Sequence, residues 1–272
     1  MSDKHDEYSL YLGDSAQLLK SFEAASVDMV LTSPPYDNLR SYNGAGEGWT
    51  FPKFSTIAKE LYRVVKPGGV VVWVVSDAVV NGSETGTSFK QALYFIELGF
   101  NLHDTMIYQK ANPIPLNHNR YEQAFEYMFV LSKGKPKAFN PIMVRCLNAG
   151  KVSLNANRTT FDANQARKAN GATRVEQTRE TKRHINIFKY TVGGGKSGHP
   201  APFPYKLARD QVITWSNKGD TVLDPFSGSG TTGVACIKEG RRYIGCEIVT
   251  EYYEISKRRI EEALLQPRLL EV

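Results

Sequence analysis

The 272-residue chain predicts an α/β fold: a doubly wound, mostly parallel sheet carrying one inserted region. Three observations point there. Short β-branched runs alternate with stretches of helical spacing, the pattern of strands joined by crossover helices. One run, residues 221–224, passes directly into a glycine-rich turn and then a helix. A basic, Asn-rich tract at 137–190 interrupts the alternation and has weak hydrophobic periodicity.

Taken in order, residues 8–12 read as a strand ending at Gly13-Asp14, and 15–22 read as a helix. Residues 27–32 form a buried-type strand that runs into Ser33-Pro34-Pro35-Tyr36. The polar, glycine-rich stretch 37–50 predicts a mobile loop. Residues 54–65 set Ile57, Leu61, Val64 and Val65 at helical spacing, and Pro67-Gly68-Gly69 should end that helix before a strand at 70–75. A helix at 88–98 and strands at 102–108 and 125–131 follow. Beyond the basic tract come His199-Pro200-Ala201-Pro202-Phe203-Pro204, a helix through Trp215, a strand at 221–224 and a helix at 231–239. A strand at 242–246 and a helix at 251–265 complete the chain, and no internal repeat is visible. On this reading 1–136 and 191–272 are two halves of one domain, and 137–190 is an insertion.

Composition narrows the class. A hydrophobic fraction of 41% with 23% charged residues suits a soluble globular chain. The polar start, Met1-Ser2-Asp3-Lys4-His5-Asp6-Glu7, does not read as a secretory signal. The apolar run at 70–75 is far too short to span a membrane. Cys146, Cys236 and Cys246 are odd in number and lack metal-ligand spacing, so the expectation is no metal, buried thiols and a reducing, cytoplasmic setting. The net charge of +6 is uneven: 137–190 holds eleven Lys or Arg against three acids, so it carries about +8 and the remainder about −2. Clustered cations are the footprint of a phosphate-backbone partner, although a solvated linker would share the composition.

Two segments carry chemistry. In Asp224-Pro225-Phe226-Ser227-Gly228-Ser229-Gly230-Thr231-Thr232, a strand edge meets glycines that let the backbone turn sharply and approach a ligand closely. Glu247, at the end of the next strand, suits ribose hydroxyls, while a surface carboxylate is the plainer reading. The Gly-Lys-Ser/Thr of an NTPase loop is missing. A dinucleotide-dependent oxidoreductase would share the glycines and the acid, yet its pyrophosphate would be repelled by Asp224, which instead suits an ammonium. Thr32-Ser33-Pro34-Pro35-Tyr36 offers a hydroxyl and a carbonyl held by two fixed-φ prolines beside an aromatic ring. Such a group can accept hydrogen bonds from the amino hydrogens of a planar base while Tyr36 stacks on its face. An ordinary turn at the end of a strand accounts for the same residues without function.

Together these segments resemble the DNA amino-methyltransferases, which use S-adenosylmethionine (AdoMet) to methylate an exocyclic base nitrogen. The resemblance covers most of the chain. Its order, with the tetrapeptide first, the basic tract next and the glycine turn last, resembles the permuted beta class. It implies the AdoMet-dependent methyltransferase fold, with Ser33, Pro34, Pro35 and Tyr36 as catalytic residues. The cofactor would be held by Asp224, Gly228, Ser229, Gly230, Thr231 and Thr232, with Phe226 packing on it and Glu247 on its ribose. His199, Pro200, Phe203 and Pro204 would complete the wall, and Asp14 would meet the adenine, where a helix N-cap serves as well. The basic tract would be the target-recognition region, with Arg145, Lys151, Arg158, Arg167, Lys168, Arg174, Arg179, Lys182 and Arg183 on double-stranded DNA. Tyr42 and Trp49 would either close over an extruded base or anchor their loop on the core. In the family, Ser at the first tetrapeptide position goes mostly with cytosine N4 and Asp with adenine N6, so Ser33 favours cytosine N4. Carbon methylation is disfavoured, since no proline here precedes a cysteine. The role implied is the modification enzyme of a restriction-modification system, with a restriction endonuclease as possible partner, acting as monomer or homodimer. The rivals are an adenine-N6 enzyme, an oxidoreductase and a non-catalytic DNA-binding relative.

Overall fold

The computed structural model describes residues 2–35, 49–113, 120–155, 159–161, 167–169, 174–177, 179–191 and 204–266, with the backbone alone over 152–177. The chain divides into two compact units, Met1–Asn140 with Asn186–Val272, and Pro141–Ile185.

Among the described residues, nine strands of the larger unit form one sheet. In chain order they are β1 (Ser2–Lys4), β2 (Tyr8–Leu12), β3 (Val27–Thr32), β4 (Val65–Val75), β5 (Asn101–Lys110), β6 (Phe125–Ser132), β7 (Ile187–Tyr190), β8 (Thr221–Asp224) and β9 (Arg242–Glu247). Their spatial order is β1-β2-β9-β8-β3-β4-β6-β5-β7. From β2 through β4 every pairing is parallel, β6 runs antiparallel to β4 and β5, and β7 runs parallel to β5. This is the doubly wound, mostly parallel sheet expected.

The centre is apolar because it is covered twice. Val70, Val71, Val72, Trp73 and Val74 of β4, and Val27, Met29, Val30 and Leu31 of β3, are sealed from solvent. Only strands buried on both faces carry such unbroken β-branched runs. Helix α2 (Phe51–Val64), which follows the four-residue α1 (Ser15–Leu18), lays Phe54, Ile57, Ala58, Leu61 and Val64 on this core at helical spacing. Each such large side chain contributes about 1.5–3 kcal/mol on burial. Helix α3 (Thr87–Glu97) packs through Ser88, Gln91, Ala92 and Phe95. Helices α4 (Tyr205–Trp215), α5 (Thr231–Glu239) and α6 (Thr250–Leu265) complete the unit.

Three expectations need correcting. The helix expected at 15–22 ends at Leu18 and tightens into a 3-10 turn, Leu19–Ser21. The strand expected at 70–75 begins at Val65, directly after α2, because Pro67 disfavours helical backbone at Lys66 and the run stays extended. Gly68, at φ +81°, donates its N–H to the Lys133 carbonyl at 2.6 Å inside that strand. The basic insertion is also narrower than 137–190. Ile187–Tyr190 alternates exposed and buried side chains and pairs with Ile107–Lys110 in the main sheet, a period of two hidden by the surrounding charge.

Candidate active site

The chain reverses direction between β3 and β8. From β3 it passes through α2 to β4 on one side, and from β8 through α5 to β9 on the other. At such a switch point the connections leave in opposite directions, opening a crevice beyond the carboxyl ends of the strands. Both chemistry-bearing segments begin there. β3 and β8 pair in parallel with Val222 opposite Met29 and Leu223 opposite Val30. The Thr32 hydroxyl donates to Asp224 Oδ1 at 2.6 Å, joining positions 192 residues apart. Ser33, Pro34 and Pro35 leave from Thr32, with Pro34 buried and its neighbours half-buried.

Asp224 is sealed from solvent and also accepts the Phe226 N–H at 3.0 Å. Burial pushes its carboxyl up to about 6, against the pull of the Thr32 hydroxyl and the Phe226 amide. The Thr232 hydroxyl also holds it down, yet is itself buried without a hydrogen bond of ordinary geometry.

The turn depends on glycine for two reasons. Gly228 and Gly230 adopt φ +51° and +76°, a left-handed backbone that costs a side-chain-bearing residue about 1–2 kcal/mol. Gly233 lets α5 approach its neighbours, since a Cβ there would lie 2.5 Å from Ile260 Cδ1 and 2.7 Å from Tyr243 Cε1. The serines and Thr231 of the turn face inward. Ser227 Oγ lies 2.8 Å from the Tyr243 hydroxyl, and Arg259 of α6 donates to the Ser229 carbonyl, to Ser229 Oγ at 2.9 Å and to Thr231 Oγ1 at 3.4 Å. Arg259 was not legible in sequence, where it is one more cation on a charged helix.

Glu247 ends β9 and is buried. Its Oε2 accepts the Gly228 N–H and its Oε1 the Val249 N–H, both at 2.8 Å. Burial raises its carboxyl while these amides hold it down. The Gly13 N–H donates to the Glu247 carbonyl at 2.8 Å, which brings Asp14 to the same end of the sheet. Asp14 caps α1 through the Ala16 N–H at 3.0 Å and pairs with Lys53 Nζ at 3.1 Å. Three adjacent strands, β2, β9 and β8, therefore end in or next to a carboxylate. That set of acceptors, beside a turn with room for close approach, fits a cofactor bearing an ammonium and a ribose diol.

Phe226 meets Trp49 edge-on at 5.3 Å and Trp73 at 6.3 Å. Trp49 also packs on Phe54 at 6.4 Å, so it anchors its segment on the core. Pro204 is buried immediately before α4. Tyr36, Tyr42, Arg158, His199, Pro200 and Phe203 lie outside the described residues.

The smaller unit is built of antiparallel pairs: Met143–Arg145 with Thr181–Arg183, Val152–Asn155 with Arg174–Gln177, and Thr159–Phe161 with Arg167–Ala169. Arg145, Lys151, Arg179, Lys182 and Arg183 are exposed on it. Arg167, Lys168 and Arg174 stand in register with Phe161, Thr160 and Asn155. No helix among the described residues is long and apolar enough to cross a membrane.

A family model described as DNA methylase, covering N6 and N4 enzymes, matches residues 27–258. The orphan methyltransferase M.BamHII of Bacillus amyloliquefaciens is 46% identical over 255 residues, spanning 90% of this chain and 93% of the relative. Among solved structures, PvuII DNA methyltransferase (cytosine-N4-specific) superposes with a TM-score of 0.69 at 23% identity, over 94% of this chain and 87% of that one. A protein described as a DNA modification methylase from Thermus thermophilus, solved with AdoMet, superposes at 0.64 with 25% identity, over 95% and 96%.

Proposed function

The chain belongs to the N6/N4 DNA methylase family, with AdoMet as its cofactor, and on that premise we propose that it methylates N4 of cytosine at a specific site in double-stranded DNA. The observation that carries the reading is the Thr32–Asp224 hydrogen bond, which ties the acceptor-bearing tetrapeptide to the glycine turn. The choice of cytosine rests on Ser33 at the first tetrapeptide position.

An amino group conjugated with a base ring is a poor nucleophile because its lone pair is delocalised. The Ser33 hydroxyl and the Pro34 carbonyl accept its hydrogens, an interaction that strengthens as the nitrogen turns tetrahedral and so favours the transition state. Pro34 and Pro35 hold these acceptors in place before the base arrives. Tyr36 stacks on the extruded ring. Bound AdoMet supplies an electrophilic methyl on sulfonium. Glu247 holds the ribose, Asp224 supplies negative charge towards the ammonium, Asp14 meets the adenine, and Phe226, backed by Trp49 and Trp73, forms an apolar wall. By the family resemblance, His199, Pro200, Phe203 and Pro204 complete the cofactor wall. Transfer of the methyl would leave the sulfur as a neutral thioether, and the methylated nitrogen, cationic at that point, would give up one proton to water.

The unit Pro141–Ile185 serves as the target-recognition region. A two-stranded antiparallel ribbon fits the major groove, and its cations serve phosphates and guanine edges. The role is that of a modification enzyme in a restriction-modification system.

Incubation with double-stranded DNA and labelled AdoMet, followed by digestion to nucleosides and mass identification, tests the reading. N4-methylcytosine is expected. N6-methyladenine would overturn the base assignment, and no transfer to any DNA would overturn the enzyme reading.

A further inference from the structure

A short hairpin projects from the edge of the sheet that carries the tetrapeptide. β4 lies beside β3 with Trp73 opposite Thr32, so Ser76 and Asp77 leave the same sheet edge as Ser33 and Pro34. Two short strands follow at once, Val79–Val80 and Ser83–Glu84, paired antiparallel with Val79 opposite Glu84 and Val80 opposite Ser83. Asn81 and Gly82 join them at φ +49° and +79°, the left-handed pair of a two-residue hairpin turn. A two-stranded ribbon alone is marginal in water, so this one needs anchors. Asp77, buried at its base, accepts the Ser88 N–H at 2.8 Å, the Ser88 hydroxyl, and the Thr85 hydroxyl at 3.3 Å. The Thr85 N–H donates to the Ala78 carbonyl at 2.9 Å. At the tip, Arg120 donates to the Gly82 carbonyl and lies 3.9 Å from the Glu84 carboxylate.

The braced stem holds two valines out of the core. Val79 is 45% exposed and Val80 53%, although the valines and tryptophan at 70–75 just before them are sealed. Valine is among the residues most often hidden inside a fold, so two in succession on a projecting rod call for a contact. Successive side chains of a strand point to opposite faces, which leaves the rod apolar on both flanks. Three residues of extended chain carry Val80 about 10 Å beyond Asp77.

We propose that this hairpin is the wedge that parts the target base from its neighbours in the duplex, with Val79 and Val80 entering the stack as the base leaves. The inference rests on the reading of the chain as a methyltransferase acting on a base in double-stranded DNA. A base reaches Ser33 and Pro34 only after leaving the helix, at the expense of stacking and pairing. Apolar side chains pushed between base steps offset part of that loss. A wedge for this purpose must stand beside the tetrapeptide, and the hairpin rises from the very next strand. Its two apolar flanks suit the bases on either side of the gap. Branching at Cβ and the anchored stem leave little side-chain or backbone freedom to lose on insertion.

Sequencing of DNA methylated by the full chain locates the target, and two short duplexes then serve as probes: one fully paired, one with a mispaired base opposite the target. Val79→Thr combined with Val80→Thr keeps the branched shape and the strand preference while replacing one methyl of each side chain by a hydroxyl. On the paired duplex kcat/KM should fall roughly 10-fold, about the worth of two buried methyl groups. On the mispaired duplex, where the base is already loose, the loss should stay below about 2-fold. Val79→Ile combined with Val80→Ile should keep wild-type activity on both, and circular dichroism and AdoMet binding should be unchanged in either variant. Equal losses on the two duplexes, or none on either, overturn the wedge while leaving the enzyme reading intact. A wild-type chain that transfers methyl to no DNA overturns the enzyme reading and the wedge with it.

Discussion

Replacing Gly230 with alanine adds one methyl group at the point where the turn touches α6. That Cβ would meet the Ser256 hydroxyl, and would lie 3.0 Å from Ser256 Cα and 3.1 Å from its Cβ. The hydroxyl can rotate away, but the Cα cannot move without shifting the helix. A comparison within the same protein separates this clash from backbone strain. Gly240 closes α5 at φ +76°, the same as Gly230, and a Cβ there meets only Lys218 Cγ at 3.8 Å. Gly240→Ala should therefore cost the left-handed penalty of about 1–2 kcal/mol, less about 0.4–1 kcal/mol from the stiffer unfolded chain. Gly230→Ala should cost the same plus an overpacking penalty of about 1–3 kcal/mol. Urea unfolding of the two variants reads the difference directly, and the slope with denaturant should stay the same. AdoMet affinity should fall in Gly230→Ala alone, because relief of the clash displaces the turn. Equal destabilisation by the two substitutions, with cofactor binding intact in both, would refute the close approach of turn and helix.

Two further outcomes follow from the site. The Asp224 carboxyl rises in the fold from its ordinary 3.8 to about 6, so between those values the folded chain holds a proton that the unfolded chain has lost. Its contribution to stability is complete below pH 3.8 and is lost as pH rises through about 6; unfolding measured across roughly pH 4 to 6.5 should show that decline in wild type and a flatter profile in Asp224→Asn. Arg259→Ala removes the donor shared by the Ser229 carbonyl, Ser229 Oγ and Thr231 Oγ1. It should cost about 1–3 kcal/mol for the buried acceptors left behind. Steady-state kinetics should show KM for AdoMet rising more than KM for DNA, and an equal rise in both would mean that the arginine does not position the turn.

What was readable in one dimension is what depends on near neighbours. β3, β8 and α5 occupy the residues expected of them, because an apolar β-branched run, a carboxylate at a strand edge and glycines at positive φ are each settled within a few positions. Trp49 and Asp14 had two readings. The anchor holds for Trp49 on its contacts with Phe226 and Phe54, and an N-cap is visible for Asp14. Nothing local could reveal that Thr32 would cap Asp224, that Arg259 would brace the turn, or that Ile187–Tyr190 would leave the basic tract to join the main sheet. These follow from strand order. The stretch at 27–32 specifies a strand wherever it lies, but only the packed sheet decides that its neighbour is a strand nearly two hundred residues later. The energy of that pairing resides in buried surface and in hydrogen bonds that exist only once both partners have left water.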